Sequence, residues 1–235
     1  MTPIQILRRR RQVPADVVER FRGLPVANIS DCMARIVAAG PRLRPMHAGG
    51  ALCGPAFTVK TRPGDNLLVH KALDLAEPGD VLVVDAGGDL TNAIMGELMT
   101  GYAASRGIAG VVINGAIRDA DTLRASPFPV YAAGITHRGP YKDGPGQINV
   151  AVAIDGMVIE AGDLIVGDAD GVLCVPFDDA PALCEAAREK HAQEIVTLAE
   201  IEAGRLDTGW VDALLQRLGA QSEYAQPSGQ TLAKP

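Results

Sequence analysis

Two short polar stretches hold the residue types that could do chemistry: DAGGDLTNAIMGELM, starting at Asp85, and INGAIRDADTL, starting at Ile113. The second closes an apolar run with Arg118 and Asp119, and a charged pair at a strand end is costly to bury unless each member finds a partner. Arginine presents a planar fork suited to a carboxylate and a ketone oxygen, whereas aspartate is a hard oxygen ligand for Mg²⁺. Together they would clamp a 2-oxo acid. The competing reading is a structural ion pair at a loop edge. GGDLTNAIMGEL adds backbone N–H groups at a helix start, where the macrodipole favours a carboxylate or phosphate. It matches neither the phosphate-loop pattern nor the dinucleotide pattern of spaced glycines, which argues against a nucleotide.

Those stretches need a scaffold that brings them together. VLVVDAGG reads as an apolar strand, NAIMGELMTGYAASRG as a helix and GVVING as a second strand, so the ends near Asp85 and Asn114 should share a crevice with one helix N-terminus. Before this unit, ADVVERFRGL spaces Val17, Val18, Phe21 and Leu24 along a helical face. Ser30 and Asp31 would cap a second helix, SDCMARIVAAG, ending at Gly40. ALCGPAFTVKT reads as a strand, RPGDN as a turn and LLVHKALDLA as a helix. After FPVYAAG comes an irregular run, ITHRGPYKDGPGQ, and then short strands joined by DG and GD turns. DDAPALCEAAREKHAQEIVTLAEIEAG is a long amphipathic helix, LDTGWVDALLQRLGA a short one, and residues 220–235 a frayed tail. One clear crossover, with helices at both ends, predicts a layered α/β sandwich. It forms a single domain over 1–235 with its core at about 25–205.

Composition removes several function classes. With 22 basic against 28 acidic side chains the net charge is −6, and the few aromatics offer no base-stacking platform, so nucleic acid is not the expected partner. No apolar stretch reaches the ~18–20 residues of a membrane span, and the N-terminal order of apolar then basic residues is the reverse of a secretory signal, which places the chain in the cytoplasm. Cys32, Cys53, Cys174 and Cys184 lack zinc-site spacing and read as reduced packing residues. Arg8, Arg9, Arg10 and Arg11 would either meet an anionic partner or form a solvated arm.

Glu97, twenty further residues and then Arg118-Asp119, set in GGDLTNAIMGELMTGYAASRGIAGVVINGAIRDADTL, make the chain similar to the family that contains 4-hydroxy-4-methyl-2-oxoglutarate aldolase and the regulator of ribonuclease activity A. GPAFTVKTRPGDN, GPYKDGPGQINV and GDLIVGDADGVLCVP extend the resemblance over most of 25–205. It implies a fold like a swivelling phosphohistidine domain, assembled as a homotrimer or homohexamer. It also implies a metal-dependent pyruvate aldolase that cleaves a 4-hydroxy-2-oxo acid, with oxaloacetate decarboxylation as a side activity. By the same resemblance Asp119 holds Mg²⁺, or Mn²⁺ in its place, and Arg118 binds the keto oxygen. The backbone of Gly96, Glu97, Leu98 and Met99 holds the pyruvyl carboxylate, and Glu97 manages a metal-bound water. Glu97 stands where characterised aldolases commonly have Asp. Glu194 resembles an acidic position that reaches a neighbouring subunit's metal waters. The regulator branch often lacks the Asp that this chain keeps.

The remaining polar residues leave alternatives open. Asp65 and Asn66 either face the pocket or make a turn. His70 reads as a packing or surface residue, and His137, Lys142 and Asp143 as a lid or an ordinary exposed loop. A non-catalytic regulator that binds a ribonuclease, and a Schiff-base aldolase using Lys60, Lys71 or Lys142, are the alternatives to the metal-dependent enzyme.

Overall fold

The computed structural model describes residues 4–34 and 40–221. The chain divides into two compact units, one ending at Ala187 and one starting at Arg188. The first unit opens with strand β1 (Gln5–Ile6), helices α1 (Ala15–Phe21) and α2 (Val26–Cys32), and strand β2 (Arg44–Pro45). Then come β3 (Leu52–Thr61), α3 (Leu67–Leu75), β4 (Val81–Asp85), β5 (Ala93–Met95), α4 (Glu97–Ser105), β6 (Gly110–Ile117), α5 (Ala120–Ala125) and β7 (Val130–Ile135). Strands β8 (Gly146–Ile148), β9 (Val152–Ile154), β10 (Met157–Ile159), β11 (Leu164–Gly167) and β12 (Val172–Val175) follow. Helix α6 (Ala180–Glu202) runs on into the second unit, which also holds α7 (Gly209–Arg217).

The centre of the sheet is parallel, β3 beside β4, β4 beside β6 and β6 beside β7. Three strand-helix-strand crossovers therefore build it, through α3, α4 and α5, where the sequence showed one. Helix α5 is only six residues long, too short for a clear 3.6-residue period. Antiparallel strands close the flanks: β2 pairs with β7, while β8 and β11 pair with opposite halves of β3.

Strand β4 shows why the sheet holds. Leu82 and Val84 enter the core cluster that contains Leu68, Val69 and Leu73 of α3, whereas Val81 and Val83 enter the cluster that contains Val152, Ile154, Met157 and Ile159 of the β9–β10 hairpin. A strand covered on both faces must be apolar throughout, which is why VLVV shows no alternation. Each such side chain contributes ~1.5–3 kcal/mol when removed from water. A third cluster packs Val17, Val18 and Phe21 of α1 against Leu164, Val166 and Leu173 of the β11–β12 pair, with Cys184 and Ala187 from the start of α6.

Two boundaries differ from expectation. The second helix starts at Val26 rather than Ser30, because the distant Asp168 carboxylate accepts the Val26 N–H at 2.9 Å and supplies the cap. Ser30 lies in the last turn, its carbonyl accepting from the Met33 N–H at 3.0 Å. Residues 35–39 of that expected helix, and residues 222–235 of the expected tail, lie outside the described residues. The helix expected from Asn92 starts at Glu97, because Ala93–Met95 instead pairs with the far end of β6. Among the described residues no helix is long and apolar enough to cross a membrane.

No disulfide joins the four cysteines; Cys53, Cys174 and Cys184 are buried and Cys32 is partly exposed. Burial pushes the Cys53 thiol up to about 11 and raises Cys174 as well, so neither forms thiolate near neutrality. Titration of the native protein with a thiol-selective disulfide reagent at pH 8 should therefore show one fast-reacting group, Cys32. Denaturant should release the other three; a second fast thiol in the native state would contradict the burial.

Candidate functional site

Strand β6 ends at Ile117, and the next two residues are Arg118 and Asp119. Asp119 sits in the left-handed region (φ 57°, ψ 39°), a conformation that Asp tolerates better than most side chains. That single residue turns the chain from strand to helix α5, and its carbonyl accepts the Leu123 N–H at 3.1 Å. The same turn swings its carboxylate back toward the start of α4, where Oδ2 accepts the Glu97 N–H at 2.9 Å. Two segments far apart in sequence are thus locked by one charge-assisted hydrogen bond.

Arg118 is held by its backbone, its N–H donating to the Met95 carbonyl at 3.0 Å. Its Nε lies 3.8 Å from Asp119 Oδ2, with the two side chains 43% and 40% exposed. At that separation and exposure the pair is only weakly committed to itself, and both groups stay open to a ligand. They form one wall of a cleft of about 290 Å³ with Ile135, Thr136 and His137. Arg118 also borders a small pocket of about 30 Å³, room for one or two water-sized groups, between Asn66, Gly96, Met99 and Pro140.

Gly96 precedes α4 in an extended conformation and is the point of closest approach. A Cβ there would run into Asp119 Oδ2 and would stand 2.8 Å from Arg118 Cγ, so only glycine lets the three groups meet. Of the first helical amides, Glu97 donates to Asp119, and those of Met99 and Thr100 donate to the Gly96 carbonyl at 3.1 Å each. The Leu98 N–H finds no acceptor among the described residues, which leaves it pointing out of a helix start with the positive end of the macrodipole behind it. The Glu97 side chain is exposed and pairs with nothing among the described residues.

The alternatives left open at Asp65 and Asn66 are resolved by depth. Asp65 is fully buried, and its carboxylate accepts N–H groups from Leu67, Asp143 and Gly144 at 3.0, 2.7 and 2.9 Å, with Arg62 at 3.1 Å. It stitches the irregular run to the turn before α3, aided by Arg62 stacked 5.4 Å from the Tyr141 ring. Asn66 is 2% exposed and stands at the N-cap of α3 without capping it. Its amide instead donates to the Ile94 carbonyl at 2.9 Å, and its buried Oδ1 has no partner among the described residues. An asparagine at a helix start reads as a cap in sequence; its diversion toward the site is a tertiary event.

Other expected residues are placed as follows. His137 reaches the cleft, while Lys142 and Asp143 lie on the exposed surface of the stitched run. His70 is exposed, and partial burial with the Lys142 charge nearby holds its imidazole below the ordinary range, so it stays neutral at pH 7. Lys60 and Lys71 are exposed, neither lining the cleft or the small pocket. Asp85 accepts from Asn114 Nδ2 at 2.9 Å and from the Gly87 N–H at 3.0 Å, and these two residues fix the β4 end rather than reach the cleft. Glu194 belongs to the second unit, where it pairs with Lys190 at 3.5 Å.

The donor set fits a hard divalent cation. Asp119 has one oxygen committed to the Glu97 amide and the other unpaired among the described residues, at an open cleft. No cluster of three His, Cys, Asp or Glu side chains occurs among the described residues. A single carboxylate completed by water is a common arrangement for Mg²⁺, which gives up its hydration reluctantly.

Residues 26–174 match the RraA-like family, described as Aldolase/RraA. A Halalkalibacterium halodurans protein provisionally named a 4-hydroxy-4-methyl-2-oxoglutarate aldolase is 41% identical over 183 residues, 78% of this chain and 87% of the relative. An uncharacterised protein from Pseudomonas syringae superposes with a TM-score of 0.74 at 28% identity, covering 82% of this chain and 95% of that one. Streptomyces coelicolor RraAS2, described as an unusual member of the RNase ES inhibitor RraA family, gives 0.72 at 26% identity, covering 79% and 96%.

The two glycines of this helix start make opposite predictions. Gly96→Ala should lower stability by ~1–3 kcal/mol, since the added methyl must displace Asp119 and Arg118. Gly101→Ala, inside α4 where a Cβ meets nothing, should raise it by ~0.5–1 kcal/mol. Urea unfolding of both variants checks the pair; equal shifts would mean that Gly96 is not a contact point.

Proposed function

The chain belongs to the RraA-like family, and from that membership we propose that it is a divalent-metal-dependent aldolase cleaving a 4-hydroxy-2-oxo acid to pyruvate and a second oxo compound. The observation that carries this reading is that Arg118 borders both the cleft it lines with Asp119 and the small pocket at the α4 N-terminus, while the Glu97 amide ties Asp119 to that helix start. Asp119 would hold Mg²⁺ or Mn²⁺, which when bound supplies Lewis-acid polarisation of the 2-oxo group.

The chain's own residues account for the other demands of the reaction. The Leu98 N–H and the dipole of α4 receive the substrate's C1 carboxylate. Arg118 donates to the 2-oxo oxygen and stabilises the negative charge that gathers there as the C3–C4 bond breaks. Glu97 takes the proton of the 4-hydroxyl through a water. The electron pair of the broken bond moves into the enolate of pyruvate, and a proton returned at C3 completes the product. Loss of carbon dioxide from oxaloacetate generates the same enolate, so the cleft serves that substrate by the same contacts. We propose assembly as a trimeric ring or a pair of rings, which a native mass measurement reads directly.

Incubation with Mg²⁺ and either oxaloacetate or a 4-hydroxy-2-oxo diacid should release pyruvate. Asp119→Asn should remove the metal-dependent part, and Arg118→Ala should lower kcat by ~10²–10³, the usual cost of one oxyanion donor. Failure to release pyruvate from any of these substrates, with metal demonstrably bound, would sink the proposal. A second reading, a regulator that binds a ribonuclease, is favoured by the likeness to RraAS2. Recovery of a nuclease by the immobilised protein, together with no metal affinity, would select it.

A further inference from the structure

A cavity of about 650 Å³ lies beside the N-terminal strap and shares no wall residue with the Arg118–Asp119 cleft. That volume is within the ~300–1,000 Å³ typical of small-molecule sites. The strap is firmly held on both sides of the cavity. β1 pairs with β8, the Leu7 N–H donates to the Ile148 carbonyl at 3.2 Å, and the Val13 N–H donates to the Gly162 carbonyl at 2.9 Å.

The four consecutive arginines of the strap all line this cavity, but their charges are balanced unequally. Arg9 is nearly buried against Asp80 and also reaches Glu77 at 3.4 Å. Arg11 pairs with Asp178 at 3.1 Å and Glu160 at 3.3 Å, and lies 4.8 Å from the Phe177 ring centroid. Arg8 and Arg10 have no acidic partner among the described residues. Four carboxylates meet Arg9 and Arg11, so the strap as a whole is charge-balanced, but the balance is uneven and the Arg8 and Arg10 guanidiniums are left without an ion-pair partner among the described residues.

The rest of the wall includes the Glu77 carboxylate, which pairs with Arg9, and is otherwise of a different character. Ile6 and Leu75, both large and exposed, and the Phe57 ring give it an apolar side. Asn149 borders it as well, in the left-handed region at φ 57°. Its Nδ2 donates to the Leu7 carbonyl at 3.0 Å, and its Oδ1, shut off from bulk solvent, has no donor among the described residues. Orphaned buried acceptors are rare in folded proteins and call for a partner.

We propose that this cavity binds a phosphate monoester carried on an apolar or aromatic body. Arg8 and Arg10 match the charge of a phosphate dianion, ≈ −1.5 to −2 at pH 7. Guanidinium forks bind its oxygens in pairs. Ile6, Leu75 and Phe57 cover the apolar body.

Calorimetric titration of the full-length protein with phenyl phosphate tests the site, with inorganic phosphate as the probe lacking the apolar body. Phenyl phosphate should bind wild type and Arg118→Gln alike, bind at least about tenfold more weakly to Arg8→Gln/Arg10→Gln, and outcompete inorganic phosphate by about tenfold. Asn149→Asp, which keeps both arginines but sets a carboxylate against the anion, should weaken it to a similar degree. No binding to wild type, undiminished binding to the double variant, or loss on Arg118→Gln would each overturn the proposal. So would binding of a short oligoribonucleotide through Arg8 and Arg10 with none of phenyl phosphate.

Discussion

The hydrogen bond from the Glu97 amide to the Asp119 carboxylate, 2.9 Å long, is the constraint on which the site depends. It joins the end of β6 to the start of α4, and so decides where a hard oxygen ligand, a guanidinium and a helix N-terminus stand relative to one another. The bond also answers the cost of placing a carboxylate at a strand end, because a charged acceptor takes up one orphan donor of the helix. Only one oxygen is spent in doing so. The other, Oδ1, is left for a ligand, since the Arg118 Nε stands 3.8 Å from the oxygen already spent, Oδ2.

Local strain and local smallness serve the same end. A left-handed backbone at Asp119 reverses the chain within one residue, and a glycine at position 96 removes the only atoms that would keep the two segments apart. The buried Asp65 carboxylate does comparable work next to Asn66, where it binds residues 143 and 144 of an otherwise irregular run. A run of glycines and prolines has no ladder of its own to satisfy its backbone, so a buried carboxylate with several N–H donors takes that role. The result is a small pocket whose wall includes both Pro140 of that run and Asn66.

The same economy of charge separates the two cavities. Near Arg118 a carboxylate stands close by, and the cleft is suited to a small acid together with a cation. Near Arg8 and Arg10 the carboxylates, Glu77 included, are engaged by Arg9 and Arg11, so these two guanidiniums are the ones left to meet an anion. Arg9 and Arg11 make this possible by tying the strap down, which spares its other two arginines from closing the structure themselves.

What the chain declared by sequence alone was local and periodic. The apolar run of β4, the spacing of Val17, Val18 and Phe21, and the polar pair after β6 are patterns within a few residues, and each is set by a backbone period or an immediate neighbour. The resemblance built on Glu97 and Arg118-Asp119 added the family. Tertiary structure alone decided the rest, because the deciding partner was remote in every case. Asp168 moved the start of α2 to Val26, the far end of β6 drew Ala93–Met95 into a strand, and the Ile94 carbonyl took Asn66 away from its cap. The RRRR run gave no sign of which arginines would be neutralised, since Asp80, Glu160 and Asp178 reach it only through the fold. Hydrogen bonds and ion pairs across such distances in sequence have no period, and only coordinates place their two ends together.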